Sequence, residues 1–125
     1  MMEADSNQFI EKLMQTSQFL KNIGKTTKEY WEPDLPPVTI LFAAFGNELV
    51  RRFDVMETES KDIAFRLIEE GMNSQNIVLK TAVATGMIEA LVSKACEDAE
   101  LWSRIEGQLG SLSKKHAKEW LNAGM

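Results

Sequence analysis

Apolar side chains recur at helical spacing along nearly the whole chain, and the alternation typical of β-strands is almost absent. In the first segment, Phe9, Ile10, Leu13 and Met14 form one stripe, and Gly24 follows as a stop signal. Short polar connections indicate antiparallel neighbours. We therefore expect an all-α fold in which all 125 residues form one domain, a compact bundle of five or six helices. The predicted helices span about residues 5–23, 35–53, 58–72, 75–95, 98–109 and 113–122.

The second predicted helix is the most apolar part of the chain. Val38 and residues 40–45 cover most of its circumference, and all three prolines lie at or just before its start, next to Asp34. A helix that is apolar on nearly all sides is buried on several sides. We therefore expect this helix to form the centre of the fold.

Small residues recur every fourth position in the fourth predicted helix, at Ala82, Gly86 and Ala90. A glycine inside a helix costs about 1 kcal/mol relative to alanine, so its presence calls for a compensating contact. The spacing predicts a close crossing with a neighbouring helix at this ridge.

Hydrophobic residues make up 44% of the chain and charged residues 26%, which is typical of a globular protein. The net charge of −5 is concentrated in residues 54–106, which contain 11 acidic and 5 basic residues. This distribution argues against nucleic-acid binding, which requires a basic surface. It suits a basic partner, although an acidic surface also serves solubility alone.

The longest apolar run, Val38 to Phe45, is interrupted by Thr39 and is far shorter than a membrane span. The first 20 residues are acidic and then amphipathic, without the uninterrupted apolar core of a secretory signal. We therefore expect a cytoplasmic protein that does not enter a membrane.

Residue types that carry catalysis are isolated from one another. Cys96 lies in an apolar stretch and is interpreted as a small core residue. His116, the only histidine, lies between lysines and is interpreted as solvated or as a helix cap. Ser111 and Lys114 match a Ser-x-x-Lys spacing, but the companion motifs of acyl-transfer enzymes are absent, so a turn and a helix cap explain them better. We predict that the protein is not an enzyme.

Glu97, Asp98 and Glu100 are the only acidic cluster whose spacing invites comparison with a metal site. A calcium loop needs ligands at alternating positions with a glycine at the turn, and this segment has neither the length nor the glycine. The cluster is better interpreted as the negatively charged start of a helix. The sequence therefore predicts no metal and no cofactor.

Tyr30 and Trp31 are predicted to lie in the proline-containing connection rather than on a periodic helix. Aromatic side chains in such a position either pack as a lid over the core or anchor a partner. Together with the acidic residues Glu97, Asp98 and Glu100, they are the candidate partner-binding residues of the sequence.

Three stretches resemble a small, uncharacterised family of bacterial all-helical proteins. They are residues 31–46 (WEPDLPPVTILFAAFG), residues 82–91 (AVATGMIEAL) and the pair Leu101-Trp102. Some members of that family look like immunity proteins that accompany secreted polymorphic toxins. The resemblance covers most of residues 28–122 and implies a cytoplasmic inhibitor that binds and occludes a cognate toxin. The acidic centre of the chain would suit a basic toxin domain.

Two other functions stay open at this stage. The broadly apolar second helix would suit a structural or regulatory module that self-associates as a homo-oligomer. The seven methionines would suit a small-molecule pocket, but Met14, Met72 and Met87 match core positions of helices.

Overall fold

The computed structural model describes residues 4–124, and these residues form seven helices and no strand. The all-α prediction is confirmed, whereas the predicted count of five or six helices is too low. The helices are α1 (Ala4–Gln15), α2 (Gln18–Trp31), α3 (Val38–Arg51), α4 (Thr58–Met72), α5 (the consecutive parts Ile77–Thr81, Ala82–Ile88 and Glu89–Ala95), α6 (Ala99–Glu106) and α7 (Ser111–Asn122).

The extra helix arises because the first predicted helix is interrupted at Thr16 and Ser17. The hydroxyl of Thr16 donates to the carbonyl oxygen of Leu13 at 2.7 Å and so ends α1. The hydroxyl of Ser17 accepts from the amide of Phe19 at 3.1 Å and so caps α2. Both residues use short local hydrogen bonds that compete with the continuous helix.

The predicted stop at Gly24 is wrong, because α2 continues through this residue to Trp31. A Cβ atom at Gly24 would lie 2.8 Å from the sulfur of Met14 on α1. The glycine therefore permits the close approach of α1 and α2 rather than ending a helix.

α3 packs against α2 and against the second and third parts of α5, whereas α5 also contacts α1, α4, α6 and α7. Leu41, Phe42, Phe45 and Leu49 on α3 are fully buried. α5 rather than α3 packs against the largest number of other helices, so the predicted central position of α3 is not confirmed, although α3 contributes large side chains to the described core. The burial of α3 is incomplete, because Ile40 leaves 46% of its surface exposed.

The crossing of α3 and α5 depends on one glycine from each helix. A Cβ atom at Gly86 would lie 3.0 Å from the Cβ of Phe42 and 3.1 Å from the carbonyl oxygen of Thr39. A Cβ atom at Gly46 would lie only 2.5 Å from the carbonyl oxygen of Met87. The predicted close crossing is confirmed at Gly86, and Gly46 supplies the matching surface on α3.

The middle part of α5, Ala82–Ile88, is a π-helix rather than an α-helix. The amide of Glu89 accordingly donates to the carbonyl oxygen of Ala84, five residues earlier. All residues of this part except Thr85 are buried, and the Thr85 hydroxyl donates to the carbonyl oxygen of Thr81 at 2.8 Å. The wider turn therefore lies where α5 packs against α3.

Candidate protein-binding surface

Tyr30 and Trp31 occupy the last turn of α2 rather than the irregular connection in which they were predicted. Tyr30 is 84% exposed, whereas Trp31 is half-buried. Their rings meet edge to face, with centroids 6.4 Å apart and an interplanar angle of 72°. The lid interpretation therefore fails for Tyr30, which projects into solvent beside the partly covered indole.

Two further apolar side chains are exposed nearby, one in the segment that joins α2 to α3 and one in the first turn of α3. Leu35 is 60% exposed and Ile40 is 46% exposed. The amide of Asp34 donates to the carbonyl oxygen of Trp31 at 2.9 Å and holds the turn between them. We call residues 29–40 the proline corner. It exposes three large apolar side chains within twelve consecutive residues.

The charged groups of the proline corner are all acidic. Glu29, Glu32 and Asp34 are exposed, and within residues 4–124 none of them forms an ion pair. The sequence contains no lysine, arginine or histidine from residue 29 to residue 50. The apolar side chains of the corner are thus accompanied by three carboxylates without an ion pair, although Lys25 and Lys28 precede Glu29 and Glu32 by four residues each.

The lysines of α2 lie on the side of the helix away from Tyr30. At about 100° per residue, Lys21, Lys25 and Lys28 are roughly 140° to 180° away from Tyr30 around the helix axis. Lys21 and Lys28 line an open groove of about 760 Å³ between the α1–α2 hairpin and the α3–α4 connection. The groove mixes both signs of charge with apolar side chains, and its lining includes Glu11, Met14, Phe19, Val55, Met56 and Glu57.

The second predicted contact group is exposed at the start of α6. Glu97, Asp98 and Glu100 are all exposed, but the Asp98 carboxylate accepts from the amides of Glu100 at 3.1 Å and Leu101 at 3.2 Å. Asp98 is therefore the N-cap of α6, and the predicted role of the cluster as a helix start is confirmed.

The structure does not bring the two predicted groups together. Tyr30 and Trp31 lie by the N-terminal end of α3, which is about 21 Å long at 1.5 Å per residue. Beyond the opposite end of α3, the Asp54 carboxylate pairs with the guanidinium of Arg104 on α6. The hydrogen bond from Arg104 lowers the pKa of Asp54 below its usual value. These contacts place α6 toward the far end of α3.

His116 is neither solvated nor a helix cap. Its Nε2 lies 2.9 Å from a carboxylate oxygen of Glu89, and both side chains are largely covered between α7 and α5. No cluster of three or more histidine, cysteine, aspartate or glutamate side chains suited to a metal ion occurs in the part of the chain that the structure describes.

Arg51 and Arg52 lie at the C-terminal end of α3. In the structure both guanidinium groups contact the Glu48 carboxylate, at 2.6 Å and 3.1 Å respectively. Glu48 is 5% exposed, so the two arginines neutralise a carboxylate that the fold covers. Arg52 also lies over the ring of Phe19, 5.0 Å from its centroid.

Ser111 is the first residue of α7. The predicted serine cap is replaced by the Glu69 carboxylate of α4. It accepts from the amides of Leu112 at 2.9 Å and Ser113 at 3.0 Å, and from the Ser113 hydroxyl at 2.8 Å. A Cβ atom at Gly110 would lie 2.4 Å from Glu69, so only glycine admits this carboxylate.

Cys96 ends α5 and is half-buried against the core. Burial raises the pKa of its thiol, so less of the reactive thiolate is present at neutral pH than in a free cysteine.

We expect a thiol reagent such as DTNB to modify the folded protein at pH 7.5 at least several-fold more slowly than the unfolded chain in guanidinium chloride. The rate of free cysteine at each denaturant concentration is the control. Equal rates for the folded and the unfolded chain, each divided by the rate of free cysteine, would contradict the prediction.

No protein-family model, curated protein or solved structure matches this chain. None of the helices within residues 4–124 is both long and apolar enough to cross a membrane.

Sequence reasoning identified Tyr30 and Trp31 but missed Leu35 and Ile40. Leu35 carried a usable signal, because it stands between Asp34 and a proline, away from any helical stripe.

Proposed function

We propose that this chain is a non-enzymatic, cytoplasmic protein-binding protein, an immunity protein that occludes a cognate toxin. The observation that carries the protein-binding part is the exposure of Tyr30, Leu35 and Ile40 in the proline corner. The toxin as partner follows from the family resemblance of residues 31–46 and 82–91.

An exposed tyrosine beside aliphatic side chains is the usual composition of an energetic centre in a protein interface. Tyrosine supplies a large contact area with few rotatable bonds, and it is enriched among the residues that dominate binding energy. The edge-on contact with Trp31 restricts the Tyr30 ring before a partner arrives. Burial of these side chains in a complex would remove apolar surface from water, which favours association.

The net charge of −5 suits the same function. Complementary charge accelerates encounter with a basic partner and suppresses binding of acidic ones. A basic toxin domain would therefore be captured faster at low ionic strength than at high ionic strength.

The test is to express the protein together with the toxin domain that is encoded beside its gene and to measure growth. We expect the wild-type chain to restore growth and to form a stable complex with the toxin. We expect Tyr30→Ala to weaken the complex about 30-fold, the effect of truncating a hot-spot aromatic residue. Ile77→Ala is the matched control, because Ile77 is also apolar and 70% exposed but lies at the start of α5. Failure to restore growth, or the absence of any neighbouring toxin gene, would refute the immunity function.

The exposure of Ile40 supports a second candidate function, a self-associating structural or regulatory module. Ile40, Ala43 and Ala44 share one incompletely covered side of α3 and would suit a contact with a second copy. Light scattering over a wide concentration range tests this alternative. A mass of 14.1 kDa at every concentration would reject it, and a dimer that Ile40→Ala dissociates would favour it over the immunity function.

A further inference from the structure

We infer that the proline corner docks a partner segment that presents lysine or arginine together with a large apolar side chain. This inference rests on the proposed function only in that the chain binds a protein, and it specifies the chemistry of that partner. The apolar part of the segment would pack on Tyr30, Leu35 and Ile40. Its basic side chains would face Glu29, Glu32 and Asp34.

Charge complementarity selects this occupant. The three carboxylates are exposed and have no ion pair within the described chain, while Lys21 and Lys28 line the groove on the side of α2 away from Tyr30. An acidic or neutral segment would leave these carboxylates without counterions as the interface excludes water, and such desolvation is costly. A basic segment gains charge-assisted hydrogen bonds at the same positions.

The other acidic cluster lacks the features that make the corner a docking site. The carboxylate of Asp98 is already occupied as the N-cap of α6, and Glu100 lies near Arg104, whose pKa it helps to raise. No large apolar side chain in residues 97–100 is available beside these acids. The proline corner therefore combines exposed large apolar side chains with unpaired negative charge, whereas the large apolar side chains nearest the start of α6, Leu101 and Trp102, are half-buried against the core.

The inference is tested with short random peptides displayed on phage and selected on the immobilised full-length protein. We expect the selected peptides to combine lysine or arginine with aromatic or aliphatic residues. Their affinities, measured by fluorescence anisotropy on synthetic copies, should fall about tenfold between about 0.05 and 0.3 M NaCl, because salt screens exposed charges.

Two variants locate the site. Tyr30→Ala should weaken the selected peptides about 30-fold, and the combined change Glu29→Gln, Glu32→Gln and Asp34→Asn should weaken them about tenfold. The control for the first is Ile77→Ala; the control for the second is the pair Glu97→Gln and Glu100→Gln, which removes exposed carboxylates at the far end of α3. All changed side chains are exposed, so thermal unfolding should be nearly unaltered.

The inference is overturned if no peptide is selected, if the selected peptides lack basic residues, or if their affinity survives both corner variants. These outcomes can be distinguished from failure of the immunity function. Peptides that bind the corner while the toxin is not neutralised would refute the immunity function alone. Full neutralisation of the toxin by both corner variants would refute the docking site alone.

Discussion

Addition of one methyl group in Gly46→Ala is expected to destabilise the protein by about 3 kcal/mol, the upper part of the range for overpacked cores. The new Cβ would lie 2.5 Å from the carbonyl oxygen of Met87 and 3.3 Å from the amide nitrogen of Leu91. Both atoms belong to the backbone of α5, so relief requires α3 and α5 to separate. The intrinsic preference of helices for alanine, about 1 kcal/mol, works in the opposite direction but is smaller.

Chemical denaturation measured by circular dichroism checks this value. Gly107→Ala is the matched control, because Gly107 has a right-handed helical conformation and its new Cβ would lie 3.4 Å from the nearest atom, an ordinary contact. We expect Gly107→Ala to change the free energy of unfolding by no more than about 0.5 kcal/mol. Equal stability of the Gly46→Ala variant and the wild type would mean that α3 and α5 do not approach as closely as described.

Glu69→Ala is expected to cost about 2 kcal/mol, because it removes the only carboxylate that accepts from the first turn of α7. The loss should lower the melting temperature by about 8 °C for a chain of this size. Glu119→Ala is the control, since Glu119 is exposed on α7 and its side chain has no ion pair in the described structure. An equal melting temperature for Glu69→Ala and the wild type would contradict the capping role.

The same carboxylate gives stability a predictable dependence on pH. Burial acts to raise the pKa of Glu69, but the hydrogen bonds from Leu112 and Ser113 outweigh it and lower the pKa below its ordinary value of 4.5. A lowered folded-state pKa means that this stabilisation is fully present above about pH 4.5 and is lost as the pH falls through the folded-state value. The stability difference between the wild type and Glu69→Gln should therefore shrink in acid, whereas a constant difference would contradict this account.

The helical class of the chain was predictable because apolar spacing is a local property of the sequence. α4 was predicted with its observed bounds, Thr58–Met72, since its stripe is regular and its flanking residues are polar. The break at Thr16 and Ser17 was missed, because those side chains end one helix and start another without interrupting the apolar period. The π-helical part of α5 was missed for a similar reason, since its apolar residues continue the helical spacing of the parts on either side.

Features that depend on distant residues were beyond local reasoning. Glu69 lies 43 positions before Leu112, whose amide it accepts from, so the sequence around either residue does not predict that Glu69 caps α7. Gly24 and Gly46 were likewise interpretable only once their neighbours on α1 and α5 were known. The candidate surface was partly predictable, because Tyr30 and Trp31 depart from the helical stripe. The exposure of Ile40 was not, since its helix is apolar on nearly every side.

The half-buried indole of Trp31 lies beside Tyr30, so its fluorescence can report whether a ligand occupies the proline corner. Trp31 is the one tryptophan in that segment, and the other two, Trp102 and Trp120, belong to α6 and α7. In a Trp102→Phe, Trp120→Phe background, emission would come from Trp31 alone. A ligand on Tyr30 would then change the solvent around a single fluorophore, so occupancy could be followed without any attached dye.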